Sequence, residues 1–144
     1  MTTSVVYYPG DLRTESEHLQ SGNKIITDAP IDNEGKGEGF SPTDLVATSL
    51  ANCMLTIMGI VARQHKVNID GTRADVEKIM GTEPRRITEI QIEFYFPGNY
   101  DSKTKTILEK AALNCPVAKS LAESLQQSIG FNYSGKVQKT FSIT

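Results

Sequence analysis

From Leu45 to Ala62 the chain runs for 18 residues without a charge. Few folds can accommodate such a stretch. Its apolar residues fall on every side of a helical wheel, so a helix here has to be surrounded by protein or by lipid. The start is strongly marked. Ser41 is a capping residue, Pro42 suits the first helical position, and Asp44 completes a box-like cap at the positive dipole end. Phe40 and Leu45 are spaced as a hydrophobic staple. The pattern predicts one buried helix over 42–64, about 33 Å long. A membrane span needs about this much apolar sequence. However, Thr48, Ser49, Asn52, Thr56 and Gly59 dilute the run, and no aromatic belt flanks it. The expectation is therefore a core helix with no membrane partner.

Ser49, Asn52, Cys53 and Thr56 lie at i, i+3, i+4 and i+7, a narrow polar stripe on that helix. Two readings stand. In one, the hydroxyls bond back to the preceding turn and the cysteine simply packs. In the other, the stripe lines a small pocket or a subunit seam that contains a thiol.

A length of 144 residues suits a single domain over 1–144. A net charge of −2 and a pI near 5.7 supply no basic stripe for nucleic acid. The first residues show neither a basic nor an apolar signal region, and two cysteines are too few for a secreted disulfide framework. A cytoplasmic location is expected, which leaves the acceptor-like Asn132-Tyr133-Ser134 without meaning.

Residues 3–8, 12–19 and 24–27 read as three strands joined by turns at Pro9-Gly10-Asp11 and Ser21-Gly22-Asn23. Residues 28–39 form a loop with Gly35, Gly37 and Gly39 that matches no phosphate-binding pattern. It reads as a flexible connection, with a lid as the functional alternative. Residues 73–81 and 87–96 read as strands, the second alternating Ile90, Ile92, Phe94 and Phe96 with polar neighbours. Arg85 and Arg86 fall in the turn between them. A helix from Asp101 or Ser102 to about Leu113 follows. Pro116 starts another whose apolar face is Val117, Leu121 and Leu125, closed by Gly130. Phe131, Tyr133, Val137, Phe141 and Ile143 then alternate as a long terminal strand. The order βββ-α-ββ-α-α-β suits an α+β fold, mostly antiparallel. One small sheet cannot cover an all-round apolar helix, so a homodimer with the helices packed across the interface is expected.

The chemistry rests on two thiols. A thiol reacts as thiolate, and a helix N-terminus or a cation lowers its pKa. By this rule Cys115, beside the Pro116 helix start, is the activated one. Cys53 in mid-helix needs a cation from elsewhere. Of Arg13, Arg63, Arg73, Arg85 and Arg86, Arg63 lies about 15 Å further along the same helix. Arg13, in the N-terminal meander, is the one a folded-over hairpin delivers, with Glu15 and His18 as neighbours.

Ser41-Pro42-Thr43-Asp44-Leu45, then Ala51-Asn52-Cys53-Met54, then Cys115-Pro116-Val117, resemble the OsmC/Ohr family of osmotically inducible and organic hydroperoxide resistance proteins. The resemblance implies an intertwined homodimer with antiparallel sheets around a long central helix and active sites at the interface. It implies a cysteine-based, antioxidant hydroperoxide reductase needing no cofactor and no metal. Carried over, Cys53 is the peroxidatic cysteine and Cys115 the resolving one, with a lipoyl or thioredoxin-like dithiol as reductant. Arg13 and Asp44 are the accessory candidates. The family's peroxidases place an arginine-orienting glutamate directly after the motif proline; here that position is Thr43, with Asp44 next to it. The alternative within the family is a dimer with little peroxidase activity that binds a small hydrophobic or thiol-containing ligand. A metal site from Cys53, Cys115, His18 and His65 matches no ligand spacing. A Cys–His acyl-transfer enzyme lacks a histidine near either cysteine in sequence.

Overall fold

The computed structural model describes residues 1–133. They fall into two compact units divided between Val46 and Ala47.

The first unit is a three-stranded antiparallel sheet, β1 (Ser4–Gly10), β2 (Arg13–His18) and β3 (Lys24–Asp28), in the order β1-β2-β3. It forms because short polar–apolar strands are joined by turns that demand unusual backbone. Gly10, Asp11 and Leu12 all have positive φ, as does Gly22. Burial is scarce in the sheet: Val5, Val6, Tyr7, Tyr8, Ile25 and Ile26 are exposed. The glycine loop after β3 is not the flexible tether its composition suggests. It folds back through a 3₁₀ turn at Ile31–Asn33, with hydrogen bonds from Gly35 N to Pro30 O and Gly37 N to Ala29 O. Gly35 is required there, since any Cβ would land on the Ala29 carbonyl.

α1 (Pro42–Gln64) begins where expected. Ser41 and Asp44 close a reciprocal box: Asp44 N donates to Ser41 Oγ at 3.1 Å and Ser41 N donates to Asp44 Oδ2 at 3.0 Å. In the second unit the rest of α1 shares one core with β4 (Arg73–Gly81), β5 (Arg86–Tyr95), α2 (Ser102–Leu113), α3 (Pro116–Ser120) and β6 (Gln126–Asn132). Ala47, Leu50, Ala51, Met54, Met58 and Ala62 are its buried face, packed with Ile90, Ile92, Phe94, Phe96 and Leu108. Among the described residues α1 is the one helix long and apolar enough to cross a membrane. Its core-facing side marks it as the centre of this unit's packing. On its other side Val46, Asn52, Thr56 and Ile60 are exposed, so the sheet of one chain covers only part of the helix.

Two further corrections concern the C-terminal part. The helix expected to run from Pro116 until Gly130 closes it ends at Ser120, and Leu121 turns extended (φ −81°, ψ 152°). Gly130 closes no helix; it lies inside β6, opposite Glu93. β6 starts at Gln126 and runs parallel to β5, with Glu89↔Gln126 and Phe94↔Phe131 in register. A strand that returns after a helical crossover enters parallel, and the open edge of β5 offers more hydrogen bonds than a few more helical residues. Val137, Phe141 and Ile143 of the expected long strand lie outside the described residues. The loop between β4 and β5 is closed by Arg86, which donates to the carbonyls of Thr82 and Pro84.

Candidate active site

Cys53 projects from the middle of α1 at the edge of its buried face and is half-buried. The stripe it belongs to coincides with the exposed side of the helix, where Asn52 and Thr56 are open to solvent. Thr56 Oγ1 donates back to Asn52 O at 2.8 Å, the bond to the preceding turn expected of these hydroxyls. Cys115 is fully buried and is the N-cap of α3. The chain is brought there by α2, whose end is tied by Cys115 N donating to Ala112 O at 3.2 Å. Pro116 then sets the first helical position.

The fold brings the two sulfurs together. Cys53 packs against the core that contains Cys115, near enough to influence its thiol, and both thiols are free. Burial pushes the Cys115 pKa up; the Ala118 and Val117 N–H groups pull it down, and Cys53 raises it further. The expectation that Cys115 is the acidic thiol is thereby reversed. Removal from water outweighs the backbone N–H groups of Val117 and Ala118, the latter 3.4 Å from the sulfur.

Arg13 lies in the first unit, directly opposite Asp28 in the β2–β3 register. Its Nε and Nη2 donate to Asp28 Oδ1 and Oδ2, both at 2.7 Å, a bidentate pair on a carboxylate only 1% exposed. Nη2 also donates to Glu38 Oε2 at 2.8 Å, and Glu38 N donates to Asp28 Oδ2 at 3.1 Å. The Arg13 hydrogen bonds hold the Asp28 pKa below its ordinary value. Neither Glu15 nor His18 is a partner of this guanidinium; His18 Nδ1 instead shares a 2.6 Å hydrogen bond with Ser21 Oγ. Asp28 and Glu38 are the residues sequence reasoning missed. They come from positions 15 and 25 residues away from Arg13, and the sequence signal available was a lone acid ending an apolar strand. Asp44 engages its carboxylate in the Ser41 box. Among the described residues no three His, Cys, Asp or Glu side chains converge as a metal site would require.

Comparison with known proteins follows the same lines. Residues 35–129 match the family described as OsmC-like protein. A crystal structure from Psychrobacter arcticus 273-4, described as a candidate osmotic stress induced and detoxification response protein, is 56% identical, with a TM-score of 0.89 over 92% of this chain and 96% of that one. An organic hydroperoxide resistance protein OsmC from Legionella pneumophila is 16% identical, with a TM-score of 0.72 over 92% and 98%. One from Elizabethkingia anophelis, with thiocyanate bound, is 14% identical, with a TM-score of 0.73 over 93% and 98%. At such identities the last two show the shared fold. No match is found among curated proteins.

Proposed function

The chain belongs to the OsmC-like family, and on that premise we propose that it is a thiol-dependent peroxidase that reduces organic hydroperoxides. Family membership and the hydroperoxide-resistance names of its structural relatives support a role connected with peroxides. The observation that carries the finer reading is the pairing of Cys53 with Cys115, 62 positions apart in sequence, inside one core.

The division of labour follows from exposure. Cys53 is the half-buried sulfur that a peroxide can reach, and Cys115 is the sealed one. The Cys53 thiolate attacks the distal peroxide oxygen; the O–O bond breaks, and the alkoxide leaves and takes a proton as the alcohol. Cys53 is then a sulfenic acid. Cys115 attacks that sulfur, the S–O bond breaks, and the hydroxyl departs as water with the Cys115 proton. Burial suits Cys115 to this step, because it keeps the thiol protonated until its neighbour is oxidised. A dithiol, lipoyl or thioredoxin-like, returns both thiols by exchange. Arg13 is carried over from the family resemblance as the accessory cation. Asp28 and Glu38 hold it in one orientation, the task that Thr43 cannot perform at the family's glutamate position. Asp44 serves by fixing the first turn of α1. We further propose a homodimer in the reducing cytoplasm; the exposure of Ile60 on α1 and of Val5, Val6, Tyr7 and Tyr8 on β1 supports the dimer.

Consumption of cumene hydroperoxide with dihydrolipoamide as reductant tests the reading. Cys53→Ser should lower the rate by about a hundredfold or more. Cys115→Ser should stop turnover after one equivalent. Full activity in Cys53→Ser would overturn the assignment. One observation favours a second reading, a binding dimer. An open cleft of about 470 Å³ at the end of α1 is lined by Gly59, Ile60, Arg63, Val67 and Ile69. Thiols unchanged by peroxide would point there.

A further inference from the structure

Cys115 holds two partners at once. Its sulfur accepts the Ala118 N–H and so caps α3, and Cys53 packs against the same core within reach of that thiol. α3 has only five residues, too few for a helix to be stable by itself. It is held by its ends. Cys115 and Pro116 fix the start, and the Gln127 side-chain amide, from β6, donates to Ala118 O at 3.0 Å near the finish. Ala118 is its one buried residue, while Lys119 and Ser120 are exposed.

Forming a disulfide draws two sulfurs from non-bonded contact to about 2.05 Å. The two sides yield unequally. Cys53 sits mid-way along a helix of 23 residues whose neighbouring turns carry Leu50, Met54 and Met58, all wholly buried. Cys115 sits at the end of a five-residue helix whose far end is open to solvent. The movement therefore falls on Cys115, and its sulfur turns from the Ala118 N–H to its new bond. We infer that α3 is a redox-responsive element: closing the Cys53–Cys115 disulfide uncaps it and loosens Pro116–Ser120, so that the oxidised protein displays a segment the reduced protein keeps folded. This rests on the reading of the two cysteines as a disulfide pair. A dithiol reductant, which must bind the oxidised form and release the reduced one, is the partner such a segment serves.

Diamide separates this inference from peroxidase activity. Two S–H bonds break, one S–S bond forms, and the two electrons and two protons pass to the diamide N=N bond, giving the hydrazine. Backbone amide exchange is read by NMR on the full chain, reduced and diamide-treated, with free thiols counted in each sample. The Ala118 amide should exchange about tenfold faster after oxidation, the scale of a lost cap. Cys115→Ala should show the faster exchange without oxidant. Cys115→Ser, which keeps an acceptor at the cap, should stay slow and ignore diamide. If both thiols are consumed and Ala118 exchange is unchanged, the inference is overturned while the disulfide stands. Thiols that survive diamide overturn it together with the pairing. Thiols that close with diamide but not with hydroperoxide sink only the peroxidase reading.

Discussion

At the scale of single residues, burial and charge decide how three side chains behave. Cys115 shows how a local rule can mislead. The Asn-Cys-Pro-Val motif correctly places the sulfur at a helix start, yet burial in the core of the second unit pushes its pKa up. Arg13 was legible as a candidate cation, but the carboxylates that orient it were not, because a β2–β3 register and a refolded loop bring them there. Asp28 makes this testable. Its folded pKa lies below the ordinary 3.8, so the pairing stabilises the fold fully above that value and is lost as pH falls through the folded one. Urea midpoints between about pH 2 and pH 6 should therefore drop steeply in acid for the natural protein. Asp28→Asn should start lower and respond less to pH; parallel profiles for the two proteins would contradict the pairing.

The elements divide into those specified locally and those specified by their neighbours. α1 begins at Pro42 because Ser41, Pro42 and Asp44 each favour that start, and it was readable to the residue. β5 was equally plain, since Ile90, Ile92 and Phe94 alternate along it, Phe96 continues the spacing one residue past its end, and all four are fully buried. The α3–β6 region was misread because Leu121 and Leu125 continue a helical spacing. Their segment instead bends so that Gln126–Asn132 can pair with the exposed edge of β5. Only a tertiary contact distinguishes the two outcomes. The capping box predicts that Ser41→Ala lowers stability by about 1 kcal/mol, whereas Ser41→Asp, which keeps an acceptor, costs only a few tenths. Chemical denaturation of the two variants checks this, and equal losses would show that the box does not fix the helix start.

For the whole molecule the informative residue is Gly59. Mid-helix glycine costs about 1 kcal/mol relative to alanine, and a Cβ there meets nothing within 4 Å in this chain. Gly59→Ala should therefore stabilise an isolated chain. In the proposed homodimer, with α1 helices in close approach, the same change should weaken association by about tenfold or more in Kd. Sedimentation at several concentrations separates the two, and tighter or unchanged assembly would place the α1 face outside the interface. What most directly decides the account is the fate of the two sulfurs under peroxide. The reduced protein is treated with one equivalent of cumene hydroperoxide, alkylated, and weighed intact and as peptides. The account predicts a chain lighter by two hydrogens, no alkylation at either cysteine, and one peptide pair linking Cys53 to Cys115, none of which survives in Cys53→Ser. Full alkylation of both cysteines after peroxide would contradict it.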